Sequence, residues 1–186
     1  MEADWEFEVG GSAPVIEAYW AGFVDLRGQP DRAWDFPECA QLPALAGALA
    51  RMNDAASPVW TAKCDFWPHL ETDEFDPDEL DAQPGCAVHV MGCYIDLLPK
   101  SAQQWSQPEM ASAACKCVCG LLHAVPLRCC RVDLVIRRAS IVPEWMELGI
   151  TAYLISCGES QAEAALRLQA ALAALTGALQ GQSKLE

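Results

Sequence analysis

The sequence predicts an α+β fold, and three observations carry that prediction. Several segments alternate apolar and polar residues with a period of two, others keep helical spacing, and the two kinds interleave along the chain. From residue 15 onward the order reads β-α-β-β-α-β and then β-α. That is the split β-α-β, or ferredoxin-like, arrangement with an added C-terminal strand and helix and an extra N-terminal strand. Such a layout puts helices on one face of an antiparallel sheet and leaves the other face open.

WEFEV (5–9) alternates and is separated by the turn signal GGSAP from a second alternating segment, VIEAYWAGFVDL (15–26). In the latter, Ile16, Ala18, Trp20, Val24 and Leu26 share one side, while Glu17, Tyr19, Phe23 and Asp25 share the other. Residues 27–41 carry two prolines, a glycine and scattered charge, and read as a loop. LPALAGALARMND (42–54) spaces Leu42, Leu45, Leu49 and Met52 as a helix does. VWTAKCDFW (59–67) is a strand with Trp60, Ala62, Cys64 and Phe66 on one side and Thr61, Lys63 and Asp65 on the other. CAVHVMGCYIDLL (86–98) is apolar on both sides and suits a central strand.

A helix is expected at 109–124, where Pro126 stops it. RCCRVDLVIRRASIV (128–142) turns Cys130, Val132, Leu134 and Ile136 inward and Arg131, Asp133 and Arg137 outward. GITAYLISCG (149–158) is a further strand. The closing helix carries a stripe of Leu168, Leu172, Leu175 and Leu179, with Ser160 as N-cap and Glu163 completing a capping box. The reading is one domain over 1–182 with an acidic loop at 69–85, and 183–186 resemble a cloning remnant.

The chain has 186 residues, just over half of them apolar, enough for a core without covalent staples. No apolar run is long enough to span a bilayer, and the acidic start MEADWEFEV lacks the layout of a signal peptide. A cytoplasmic location with reduced thiols is therefore expected for the ten cysteines. The net charge of −14 disfavours nucleic acid as a partner; it serves solubility first and permits a basic protein partner.

The densest chemical stretch is CKCVCGLLHAVPLRCC (115–130). On a helix, Met110, Ala114, Cys117, Val118, Leu121, Leu122 and Val125 form an apolar stripe, which makes Cys117 and Leu121 core. Cys115, Cys119 and His123 then fall on the opposite flank, where they begin a candidate metal set with Cys129 as a fourth ligand. The spacing is not that of paired zinc knuckles, so burial under the last helix or in an oligomer interface is the preferred reading, ahead of the metal set and of a reactive thiol beside Lys116 and Arg128. No cofactor is implied. Phosphate-binding, dinucleotide, nucleophile-elbow and zinc-protease motifs are all lacking. His89 reads as a satisfied strand histidine and His69 as exposed.

Two regions remain as candidate sites. Glu71, Asp73, Glu74, Asp76, Asp78, Glu79 and Asp81 form an acidic segment that fails the calcium-loop pattern and is expected to be mobile, adding little stability. It is the candidate partner-binding surface, and exposed charge there would speed encounter with a basic partner. The second region is the polar side of the strands, where Glu17, Tyr19, Asp25 and Arg137 join Lys63, Asp65, Arg131 and Asp133. Those last four are the catalytic candidates if the protein is an enzyme. The same side allows a homodimer through the open sheet face. The leading expectation is a non-catalytic acidic binding module, an adaptor or an inhibitor of immunity type that neutralises a basic partner. A small enzyme or ligand-binding domain on the mixed-charge sheet face is the alternative, and a thiol or metal protein a further one.

Overall fold

The computed structural model describes residues 1–8, 13–70, 76–82, 88–101, 103–142 and 145–182. Among them, six strands build one open sheet: β1 (Glu2–Phe7), β2 (Ile16–Glu17), β3 (Val59–Trp67), β4 (His89–Pro99), β5 (Cys130–Val142) and β6 (Trp145–Gly158). The order across it is β1-β5-β6-β4-β3, and β2 follows β1 along the same edge of β5. The helices are α1 (Pro37–Gln41), α2 (Pro43–Met52), α3 (Pro108–His123) and α4 (Gln161–Gln182). The class is α+β with a mostly antiparallel sheet, as the sequence predicts.

The finer split β-α-β order is not confirmed. The place between β4 and β5 is filled by β6, in antiparallel register with both. The 15–26 segment contributes only Ile16 and Glu17 to the sheet, at the far edge of β5. β1 and β2 do not form a hairpin; both run parallel to β5, end to end. Beyond Glu17 the chain turns away, because Trp20 donates its Nε1 proton to the Ala62 carbonyl at 3.0 Å and Leu26 is drawn into the helix-side core. Two hairpins, β3–β4 and β5–β6, each followed by a helix, thus make the body of the fold.

Among the described residues the α-helices pack on one sheet face and leave the other free of α-helix. Leu45, Leu49 and Met52 of α2 and Leu168, Leu172, Leu175 and Leu179 of α4 meet Ile95, Leu97, Val132, Leu134, Ile136 and Leu154 there. Both leucine stripes are buried as their spacing requires. Ser160 caps α4 by accepting from the Glu163 amide at 3.2 Å, and Glu163 in turn accepts from the Glu159 amide at 2.9 Å. Asn53 ties the end of α2 to β3, donating to Leu49 O and Thr61 Oγ1 and accepting from the Thr61 amide.

That bond reveals where strand parity changes. The β3–β4 register shifts between Thr61 and Lys63, so Ala62 is an extra residue. Simple alternation puts Trp60 and Ala62 with Cys64 and Phe66. The bulge instead leaves Trp60 and Ala62 on the helix-free face with Lys63, while Thr61 joins Cys64 and Phe66 against the helices.

Helix α3 is rotated from its expected setting. Its buried residues are Ala111, Cys115, Val118, Cys119 and Leu122, while Met110 and Leu121 are exposed and Cys117 is half-buried. Cysteine behaves as a small hydrophobe, so the two flanks of this helix are equally apolar. Packing against β1, β5 and α4 selects the Cys115–Cys119 flank.

Of the acidic segment, residues 76–82 are described. Pro77–Leu80 form a 3-10 turn, and Leu80, 2% exposed, packs with Ala82, Val90, Cys129 and Cys157 under one end of the helix-free face. Leu80→Ala is therefore expected to cost about 2–3 kcal/mol in urea denaturation, as for a buried leucine. Glu71, Asp73 and Glu74 lie outside the described residues.

Candidate functional site

The helix-free face is apolar at both ends and polar in the middle. At one end Ile16 reaches over Gly149 to meet Ala18, Trp60, Ala62, Leu98 and Ala139. A Cβ on Gly149 would lie 2.8 Å from Ile16 Cδ1 and 3.1 Å from the Leu97 carbonyl, so a side chain there would expel Ile16. At the other end sits the Leu80 cluster. Gly92 opens room beside it: a Cβ would come within 3.0 Å of Leu70 and 3.1 Å of the Trp67 ring.

Between these ends a trough crosses the strands. Trp67 of β3, Tyr94 of β4 and Tyr153 of β6 stand in a tilted stack, with ring centroids 5.6 and 5.9 Å apart. Cross-strand register makes the second contact, since Tyr94 and Tyr153 are directly opposed. Arg137 of β5 continues the line. Its guanidinium carbon lies 5.4 Å from the Tyr153 centroid and its Nη1 donates to the Tyr153 hydroxyl at 2.8 Å, while its Nε pairs with Glu8. Beside it, Arg131 donates to both oxygens of Asp133 at 2.7 and 2.9 Å and reaches Glu79 at 3.3 Å. Exposed Asp4 and Glu6 of β1 close that side.

Asp96 lies on the trough floor and is only 7% exposed. Among the described residues it accepts one hydrogen bond, from Thr151 Oγ1 at 2.7 Å on the neighbouring strand. Burial pushes its carboxyl above the usual carboxylate range; the Thr151 bond and the charges of Arg137 and Lys63 only partly oppose that. Asp133 is raised by burial as well, against the pull of Arg131. Burial also raises the Tyr94 phenol, helped by the Asp96 and Asp65 charges.

The sequence-derived candidates divide as follows. Lys63, Asp65, Arg131, Asp133 and Arg137 do share the helix-free face, whereas Glu17 alternates with Ile16 in β2 and is exposed at the edge of the hollow. Of the catalytic set, Arg131 and Asp133 are committed to each other, and Asp65 accepts from the Phe66 amide at 2.8 Å. Lys63 is exposed, with its ammonium 5.7 Å from the Trp20 ring. Tyr19 and Asp25 lie off the sheet. Asp25 holds Arg27 in a two-point pair, which keeps the Asp25 carboxyl below its ordinary value, and Arg27 stacks 4.0 Å over Trp60 and donates to Tyr19.

In the acidic segment, Asp76 and Asp78 are exposed, Glu79 faces Arg131, and Asp81 takes two bonds from Arg128. The candidate metal ligands are not brought together. Cys115 and Cys119 are in the helix-side core, where burial pushes their thiols up to about 12 and about 11. His123 is exposed, and Cys129 lies across the sheet in the Leu80 cluster. Among the described residues no group of three or more His, Cys, Asp or Glu side chains is placed to hold a metal ion.

Sequence reasoning missed Trp67, Tyr94, Asp96, Thr151 and Tyr153. The signal was period two: Tyr94 and Asp96, in the strand read as apolar on both sides, are two apart, as are Thr151 and Tyr153 in the strand at 149–158. A single aspartate in an otherwise apolar strand is itself unusual. No family model, curated protein or solved structure matches the chain.

Proposed function

We propose that the protein is a non-catalytic binding module whose helix-free sheet face receives a basic protein partner. One observation carries the reading: an open face with a stacked aromatic strip is bordered by exposed carboxylates, Asp4, Glu6 and Glu17 among them, in a chain of net charge −14. Aromatic groups supply rigid contact area and the carboxylates supply steering. An inhibitor of immunity type, which neutralises a basic partner, belongs to this class. A ligand-binding or enzymatic role for the same trough is the second reading, favoured by Asp96, a buried carboxyl with a raised pKa in an open hollow.

The test begins with a partner captured from the source cells and uses stopped-flow association at two salt concentrations. The double reversal Asp4→Lys/Glu6→Lys is expected to slow association by about 10-fold at low salt, with dissociation changing less. Salt narrows the gap because exposed charges act over about 8 Å at physiological ionic strength. Association that ignores both salt and the reversals removes the electrostatic reading and leaves the trough as a ligand site.

A further inference from the structure

Resting on the reading of this face as a docking surface for a basic partner, we infer that the hollow between Trp20, Tyr94 and Tyr153 receives one arginine side chain of that partner, with Asp96 as its counter-ion. The hollow has a volume of about 410 Å³ and is open to solvent on the helix-free side. Three features select a guanidinium.

The first is the ring chemistry. Aromatic faces attract cations through their quadrupole, and a planar guanidinium stacks on them better than an ammonium does. The protein's own cations already use two of these rings, Arg137 on Tyr153 and Lys63 on Trp20. Among the described residues none lies over Tyr94, the central ring of the strip.

The second is Asp96. An ionised carboxylate offers about four acceptor sites, and among the described residues this one takes a single hydrogen bond, from a neutral hydroxyl. A buried carboxylate so sparsely partnered is costly to the free protein, and a cationic fork donor is the group that relieves it. Its raised pKa agrees, because Arg137 and Lys63 are near enough to pull it down and burial still dominates. Arg137 is committed to Glu8 and Tyr153.

The third is the charge of the approach. Glu17 stands at the rim, and Asp4, Glu6 and Asp133 border the adjoining part of the trough. An anion would meet these carboxylates, while a cation is drawn in past them. The one opposing charge without an ion pair among the described residues is Lys63, which is exposed and competes for the same rings.

The experiment maps amide shifts of the full-length protein on titration with acetyl-Gly-Ser-Arg-Ser-Gly-amide. A citrulline peptide of the same shape is the uncharged control, and a polyarginine peptide probes the whole face. Expected is a response centred on Tyr94, Asp96, Thr151 and Tyr153, weakened at least about tenfold by Asp96→Asn, by Tyr94→Leu and by citrulline. Lys63→Ala is expected to tighten binding by a few-fold, since it removes the competing cation. The spectrum of each variant away from the trough reports whether its fold is kept, and Asp96→Asn, which leaves the acceptor for Thr151 in place, is expected to keep it. Equal binding of the citrulline peptide, or binding untouched by both Asp96→Asn and Tyr94→Leu, overturns the inference. Polyarginine shifts confined to Asp4, Glu6 and Glu79 overturn the arginine pocket and leave the basic-partner reading standing. No shift from polyarginine anywhere on the face sinks both. Sedimentation showing a dimer with this face covered by a second copy also overturns the pocket.

Discussion

Leu122→Ala is expected to destabilise the protein by about 2–5 kcal/mol, while its neighbour Leu121→Ala costs under about 1 kcal/mol. Leu122 is fully buried in the helix-side core, whereas Leu121 is 39% exposed on the far flank of α3. Truncating Leu122 removes apolar contact and leaves a void beneath α4 that neighbouring strands are too rigid to fill. Truncating Leu121 trims a side chain already in water on one side. Urea denaturation of both variants measures the contrast directly. Equal losses would mean that α3 sits in the orientation its apolar stripe alone suggests, with Cys115 and Cys119 facing out. Cys115→Ser belongs to the same test, because it places a hydroxyl in the same core; it is expected to cost about 1–3 kcal/mol.

Asp96→Asn is expected to stabilise the folded protein at neutral pH, by about 1 kcal/mol, while weakening capture of a cationic side chain. The sign follows from linkage. The folded-state pKa of Asp96 is raised above its ordinary value of 3.8 by burial, so above that raised pKa the folded protein carries a charge it solvates poorly. As pH falls through the folded pKa, the folded state takes up the proton before the unfolded chain does, and the penalty disappears. The gain from asparagine is thus present above the folded pKa and lost as pH falls through it toward 3.8. Comparing melting temperatures of the two proteins across that range isolates Asp96 from Asp133, Asp25 and Asp81, whose shifts are common to both. A variant less stable than the parent at neutral pH would show that the carboxylate is held by Arg137 and Lys63 for structural reasons. A variant that is more stable and binds less well marks Asp96 as a group kept at a cost to stability.

Much of the fold was legible in the residues. Helical spacing located α2 and α4, and Ser160 with Glu163 marked where α4 starts. Alternation identified β1, β3 and β5 and put Arg131, Asp133 and Arg137 together on the side away from the helices. These are local properties: a period of 2 or 3.6, a cap, a turn signal. They depend on neighbours a few residues away, and the sequence states those neighbours outright. From them alone came the α+β class and the polar strand face.

The tertiary structure decided the rest. β6 forms a local hairpin with β5, but it enters beside β4 through partners more than fifty residues apart, which no local pattern encodes. α3 turns its Cys115 flank inward because both flanks are equally apolar, so the sheet and α4 choose between them. The bulge at Ala62 reverses parity midway through β3, carrying Trp60 to the face that the alternation of VWTAKCDFW had left to Thr61. The candidate site exists only after those choices. Trp67, Tyr94, Asp96, Thr151 and Tyr153 come from three strands, and register alone stacks the rings and leaves Asp96 buried with Thr151 as its donor.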